Sequence, residues 1–390
     1  MKHKGVAWGL ALLPVWGLAG GLILLVALAP FFQFKKGLKT LTRHPLPLTL
    51  LLLLLVLPLI SSPNPSAHVL GFLSRYLLPV LLLHAWGQYL RQGGSPEVLG
   101  KALLAGGLGL SAVGLVSLLL PRPFHWQSFC LPDQLATQAC ILDFSLLPVF
   151  QAQGIAMNPN ILGGLLVLLL PWVWVSFERD RLFSLYWTVL MLSVFGAAIL
   201  LSGSRNAWLA MACLSAGVLF RQGTATWREG RGVMRGAAVL LLMGVAGAFV
   251  VTQRYSDTGR WMIWKVGLEL LQQSPWTGVG LLSVEPMYQR LHTGWPQAAH
   301  LHNGFLQMMV ESGVFLTFAL FSYLVYRVYS QWRWISVCAQ ERVYSKTALT
   351  SMCLLVGMSI VDFILLDVRV MVYMTVIVAC AFYPSKTQPH

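Results

Sequence analysis

Charge is what this sequence has least of. Only 10% of its 390 residues are Asp, Glu, Lys or Arg, where a soluble protein carries roughly 25%. With 57% hydrophobic residues, that shortage excludes a soluble enzyme. It also excludes a disordered chain, which needs the opposite balance. Six cysteines are too few for a secreted disulfide scaffold of this length. No internal repeat is evident, and no cleavable signal peptide is convincing. The first apolar stretch, 7–32, is long and is followed by Lys35 and Lys36, so it reads as an anchor.

Apolar runs are what the sequence has in abundance. Eleven hydrophobic segments stand out, at 7–32, 46–61, 69–90, 99–120, 159–177, 182–201, 206–220, 236–252, 304–328, 346–364 and 368–383. A span needs about 20 apolar residues to cross roughly 30 Å of hydrocarbon. The expectation is therefore one all-α integral membrane domain over 1–390. It is a polytopic transmembrane helix bundle of about eleven spans, within a range of ten to twelve.

The 27 Lys and Arg outnumber the 13 Asp and Glu, for a net charge of +14. In a soluble protein that balance suggests nucleic acid. Here it suggests orientation, because cytoplasmic loops collect Lys and Arg, and no nucleic-acid partner is expected. Lys35, Lys36, Lys39 and Arg43 share one loop, Arg179 and Arg181 a second. Arg221, Arg228, Arg231 and Arg235 fill a third, and Arg327, Arg333, Arg342 and Lys346 a fourth. Eleven spans put all four loops on one side, with Arg91, Lys101 and the C-terminal tail. The N-terminus then lies outside despite Lys2 and Lys4. Alternatively Pro14 and the glycines at 17–21 break the first segment, making it re-entrant with its N-terminus inside.

Two long loops face outward, about 121–158 and 253–303. The first carries Cys130 and Cys140, which could pair in an oxidising compartment. Cys213, Cys353 and Cys380 sit in expected spans and Cys338 in an inside loop, where they read as small apolar residues.

Four helix entries on the outer face carry polar clusters that the charge rule does not explain. Asn158-Pro159-Asn160 pairs a good N-cap with a good first helical residue. Ser202-Gly203-Ser204-Arg205-Asn206 joins two spans with almost no loop. Arg205 therefore lies at or just below the outer surface, where an unpaired arginine is expensive. The next helix starts there, and its free N–H groups and positive dipole end suit a phosphate. The third cluster lies in the loop that holds Arg254, around Asp257-Thr258-Gly259-Arg260. After it, 260–272 is amphipathic, with Trp261, Trp264, Leu268 and Leu271 on one face. It is expected to lie along the membrane surface until Pro275 and Gly278-Val279-Gly280 break it. The fourth cluster, His300-Leu301-His302-Asn303-Gly304, precedes a long span. Asn303, Gln307 and Glu311 then form a polar stripe at i, i+4, i+8. An intramembrane carboxylate such as Glu311 is usually functional. No third ligand is spaced to make a metal site of His300 and His302. Asp362, Asp367 and Arg369 add polar groups to the same face.

Arginines, asparagines and a histidine on one face suit an anionic lipid-linked substrate at the outer leaflet. Arginines grip diphosphate oxygens in pairs, and histidine accepts a proton near neutral pH. Three motifs resemble the O-antigen ligase / O-antigen polymerase superfamily of bacterial membrane glycosyltransferases. They are Leu201-Ser202-Gly203-Ser204-Arg205-Asn206-Ala207-Trp208, then Arg260 ahead of a helix ending Ser274-Pro275-Trp276-Thr277-Gly278-Val279-Gly280, and His302-Asn303-Gly304-Phe305-Leu306 with Glu311-Ser312-Gly313 after it. Asn158-Pro159-Asn160 looks like the same entry in cyanobacterial members. The resemblance covers about 155–330 as a ligase-like core, with 253–303 as the periplasmic loop.

The resemblance implies a GT-C-like helical enzyme of the bacterial inner membrane with its site on the periplasmic side. It implies a metal-independent, inverting glycosyltransferase without a cofactor. The enzyme would move a glycan from an undecaprenyl-diphosphate-linked donor to a lipid or glycan acceptor. Carried over by motif, Arg205 and Arg260 bind the diphosphate and His302 is the base. Asn158, Asn160, Asn303, His300, Arg254, Glu311 and Arg369 are the expected substrate-binding residues, with Asn303 the better candidate to orient His302. These motifs do not separate ligase from polymerase. A transporter of bicarbonate or of a lipid-linked glycan is the rival class. It would need polar groups continuing to the inner face; a non-catalytic scaffold would leave the Arg/His set without a purpose.

Overall fold

A computed structural model describes residues 2–13, 17–31, 45–116, 159–180, 185–220, 258–291, 300–337, 343–359 and 368–383. Every regular element among them is helical. In chain order these are α1 (Lys2–Leu12), α2 (Gly17–Leu28) with a short 3-10 turn at Ala29–Phe31, α3 (Pro45–Ser61), α4 (Pro65–Arg91), α5 (Pro96–Val116), α6 (Pro159–Asp180) and α7 (Leu185–Leu201). They continue with α8 (Arg205–Phe220), α9 (Thr258–Gln273), α10 (Val284–Leu291), α11 (Gly304–Ser312), α12 (Val314–Val337), α13 (Val343–Ser359) and α14 (Val368–Phe382).

Among the described residues, α4 and α5 are long and apolar enough to cross a membrane, and α3, α7 and most of α2, α6 and α14 are shorter apolar helices. The ends of α3 to α8 and of α14 fall within about five residues of the expected ones, whereas the expected spans 7–32 and 304–328 are each broken into two helices and α12 runs on to Val337. The segment 236–252, the charged loops at 35–43 and 221–235, and Cys130, Cys140, Cys338, Asp362 and Asp367 lie outside the described residues.

The first expected span is two helices. A Cβ on Gly5 would meet Ala27, on Gly9 would meet Leu24, and on Gly20 would meet Leu13. Residue numbers that fall on one helix as they rise on the other define an antiparallel hairpin. Each arm of eleven or twelve residues rises only about 18 Å, and the start of α1 and the end of α2 lie together. The first segment is thus broken, one of the two forms expected for it. Phe31 closes it edge-on against Tyr89 of α4, centroids 5.4 Å apart.

The largest core joins α1, α2, α4–α8, α13 and α14. Trp86, Trp172, Trp208, Tyr89 and Tyr373 are its largest fully buried side chains. Helices α5 and α6 run antiparallel: Gly114 faces Leu162, Gly107 faces Leu169 and Gly100 faces Trp172. The Asn160 end of α6 therefore lies beside the last turns of α5. Two smaller cores stand against this bundle. One joins α9, α10 and α11 through Val266, Leu270, Leu301, Leu306 and Val310. The other joins α3, α4 and α12 around Leu54, Leu281 and Leu316.

A single span over 304–328 is not what forms. α11 stops at Ser312, and Gly313 takes φ +84°, a backbone conformation open to glycine alone at low cost. Val314 N–H then bonds to Pro275 C=O at 2.9 Å, and α12 starts on a new axis. The chain breaks because the turn 274–283 inserts beside it: Val279 and Gly280 N–H bond to Val310 and Glu311 C=O at 2.8 and 3.1 Å. A Cβ on Gly278 (φ +71°) would strike the Glu311 carbonyl.

Candidate functional site

The expected site residues gather on helix starts. Asn160 is the second residue of α6, Arg205 the first of α8, Arg260 the third of α9 and Arg369 the second of α14. His302 stands two residues ahead of α11. All of these side chains are half-buried. The first turn of a helix carries free N–H groups and about half a positive charge. Arginines added there make strongly electropositive positions.

Asn160, Arg205 and Arg369 share one end of the bundle. Gly163, one turn after Asn160, lies against Ser202, Ser204 and Ala207; a Cβ there would come within 2.8 Å of Ala207. Asn206 Nδ2 donates to Met358 C=O at 2.8 Å, tying the start of α8 to the end of α13. Ser202 Oγ accepts from Ser204 N–H at 3.2 Å and donates to Ile199 C=O at 2.7 Å. This is how the chain reverses in so few residues and leaves Arg205 as the first helical residue. Asn158, expected as the cap of α6, and Arg254 lie outside the described residues; Pro159 is the first helical residue, as its spacing predicts.

Arg260, His300, His302, Asn303 and Glu311 belong to the α9–α11 cluster. α9 buries Ile263, Val266 and Leu270 against α11, and Leu301 packs on Gly267. The face named from the sequence is split. Trp264 and Leu271 are half-buried and pack against this core, while Trp261 and Leu268 are exposed. The apolar surface of the helix therefore runs from inside the protein to outside. An outward aromatic face suits the membrane interface. Short α10 packs over the same cluster, where burial raises the Glu285 carboxyl and the Tyr288 hydroxyl above their usual ranges.

The His300 and His302 rings lie 4.2 Å apart. Among the described residues no group of three His, Cys, Asp or Glu side chains could hold a metal ion. His302 has φ +50°, an uncommon conformation for a residue with a side chain. Asn303 Oδ1 accepts from Leu306 N–H at 2.8 Å and caps α11.

Two residues that sequence reasoning passed over complete this region. Arg75 Nη1 donates to both Glu311 oxygens, at 2.9 and 2.8 Å. It does so from a π-helical turn, Leu73–Leu77, an irregularity often found at functional sites. His68 is fully buried. Its Nδ1 accepts from Leu281 N–H at 3.0 Å and its Nε2 faces Leu55 C=O at 2.9 Å, so the proton sits on Nε2. Ser61 Oγ reaches Thr277 Oγ1 at 2.9 Å and donates to Gly278 C=O. The start of α4 and the end of α3 thus clamp the turn 274–283. A lone arginine inside an apolar run was the signal for Arg75; His68 sat at a span boundary, where nothing marked it.

No curated protein matches this chain. Residues 187–321 match the family model described as O-antigen ligase. That segment, similar to the O-antigen ligase family, holds Arg205, Arg260, His302 and Glu311, while Arg75, Asn160 and Arg369 lie outside it.

Proposed function

We propose that the protein is a glycosyltransferase of the O-antigen ligase type, moving a glycan from an undecaprenyl-diphosphate carrier to a lipid or glycan hydroxyl. The family match over 187–321 carries this reading, since it takes in both arginines and the histidine. The placement of Arg205 and Arg260 in first turns of helices supports it. Guanidinium and helix dipole act together there on a diphosphate.

In this mechanism the diphosphate lies between Arg205 and Arg260. They stabilise the negative charge that grows on it as the glycosidic bond breaks, the largest stabilisation such side chains supply. His302 takes the proton from the attacking hydroxyl. Asn160, Arg369 and His300 extend the polar surface for substrate, with Asn158 and Arg254 assigned to it as well. Asn303 and Glu311, whose oxygens already accept hydrogen bonds, shape the site around His302. The working face is the periplasmic one, and catalysis proceeds without a cofactor.

The test is transfer from an undecaprenyl-diphosphate-linked glycan by Arg205→Ala, Arg260→Ala and His302→Ala proteins that insert normally. Loss of the base is expected to cost about 10²–10⁴-fold, and loss of either arginine a similar factor. Full activity in all three ends the proposal. A ligase releases one product per acceptor and a polymerase lengthens the chain, so product size separates the two.

A further inference from the structure

Two residues other than glycine adopt positive φ among the described residues, Leu282 at +59° and His302 at +50°. Such conformations cost free energy that the surroundings must offset. One hydrogen-bond network holds Leu282 directly and reaches the residue before His302. Glu311, 2% exposed, accepts from Arg75, from Gln307 Nε2 at 2.9 Å and from Leu282 N–H at 3.2 Å. Gln307 is buried, and its other end, Oε1, accepts from Leu301 N–H at 2.9 Å. That N–H belongs to the peptide between His300 and Leu301, one residue ahead of His302.

We propose that Arg75, Glu311 and Gln307 are positioning residues that set the backbone, and through it the ring, of His302. The order of contacts is fixed by chemistry. Arg75 can only donate, and the ionised Glu311 can only accept. Glu311 therefore draws the NH₂ end of Gln307 and turns the carbonyl end toward Leu301 N–H. Leu301 N–H, which can only donate, makes the same demand at the other end of the amide, and Arg75 fixes the position of the carboxylate that anchors the chain of contacts. Asn303 fixes the other side of His302 by capping α11. The histidine is thus pinned on both flanks, one of them through an arginine from a helix more than 200 positions away.

The value of this placement for catalysis rests on His302 being the base, so the experiment separates the two ideas. Full-length protein labelled on histidine with ¹³C and ¹⁵N is placed in nanodiscs, and the His302 resonance is identified by its loss in His302→Gln. Gln307→Met keeps length and removes the acceptor; Arg75→Lys keeps charge and removes the planar fork. Both are expected to shift or broaden His302 while leaving His84 in place. A His302 resonance unmoved in whichever of these variants retains cooperative thermal unfolding overturns the proposal.

Turnover of an undecaprenyl-diphosphate-linked glycan gives the second readout. Displacing a reacting group by about 1 Å costs about 10²-fold, so kcat is expected to fall with donor KM nearly unchanged. Gln307→Met added to His302→Ala is expected to cause no further loss; losses that multiply would mean that Gln307 acts elsewhere, against the proposal. Full activity in His302→Ala would remove the base assignment, while the resonance still reports on the network.

Discussion

An arginine and a glutamate held away from water stabilise a fold only when their remaining lone pairs and protons are used. Arg75 and Glu311 are 19% and 2% exposed, and Glu311 has two further donors. Arg75→Leu is expected to destabilise the protein by about 3–5 kcal/mol, because it leaves a buried carboxylate unpaired. Arg75→Leu with Glu311→Leu should recover most of that loss, since no charge is then stranded. Reversible unfolding in mixed micelles measures both, and a double variant worse than the single one would contradict the ion-pair account. Asn303→Ala removes only a cap and should cost about 1 kcal/mol in the same assay. Asn303, Gln307 and Glu311 were legible in the sequence because i, i+4 spacing puts side chains on one helix face. Their partner was not, because Arg75 lies 236 positions earlier in an otherwise apolar run.

At the scale of helices, hydropathy located the apolar runs and missed what interrupts them. A run of apolar residues reads the same whether it crosses once, folds back as α1 and α2 do, or stops at Gly313 and restarts. The break at Gly313 depends on a partner, the 274–283 turn, that inserts its backbone there. Periodicity likewise found only part of the packed surface of α9, Trp264 and Leu271, while Val266 and Leu270 of the same core emerge only from tertiary contact. Gly313→Ala tests the break. The new Cβ would overlap Trp276 C=O, and φ +84° is strained for alanine. The expected result is loss of several kcal/mol, with the turn 274–283 displaced and His302 misplaced along with α11. Near-normal yield, unfolding temperature and transfer activity would show that α11 and α12 tolerate another junction.

For the molecule as a whole, the loop-flanking basic residues gather at one end of the bundle and the candidate site residues of α6, α8 and α14 at the other. Arg91 stacks on Tyr383, centroid distance 4.8 Å, and Arg327 lies 5.1 Å from the Phe382 ring. Ser345, next to Lys346, bonds to Cys380 C=O at 3.2 Å. Lys4 belongs to the hairpin whose Phe31 end meets Tyr89. Lys4, Arg91, Arg327 and Lys346 therefore mark one end, and Asn160, Arg205 and Arg369 the other. The hairpin brings Lys4 to the basic end. Under the proposed function that end is the cytoplasmic one, as the charge rule would have it, and the Arg205 end faces the periplasm, where a lipid-linked glycan is reached from the outer leaflet. Single cysteines in a cysteine-free background test this at exposed positions: Lys4→Cys and Gln92→Cys at the first end, Ser66→Cys beside the second. A membrane-impermeant maleimide applied to spheroplasts is expected to label Ser66→Cys alone, with Lys4→Cys and Gln92→Cys reacting only after lysis. Labelling of Gln92→Cys in sealed cells would invert the bundle and place the arginines on the wrong side for the reaction. Labelling of Lys4→Cys alongside Ser66→Cys would instead unfold the hairpin into a full crossing and return the N-terminus to the outside.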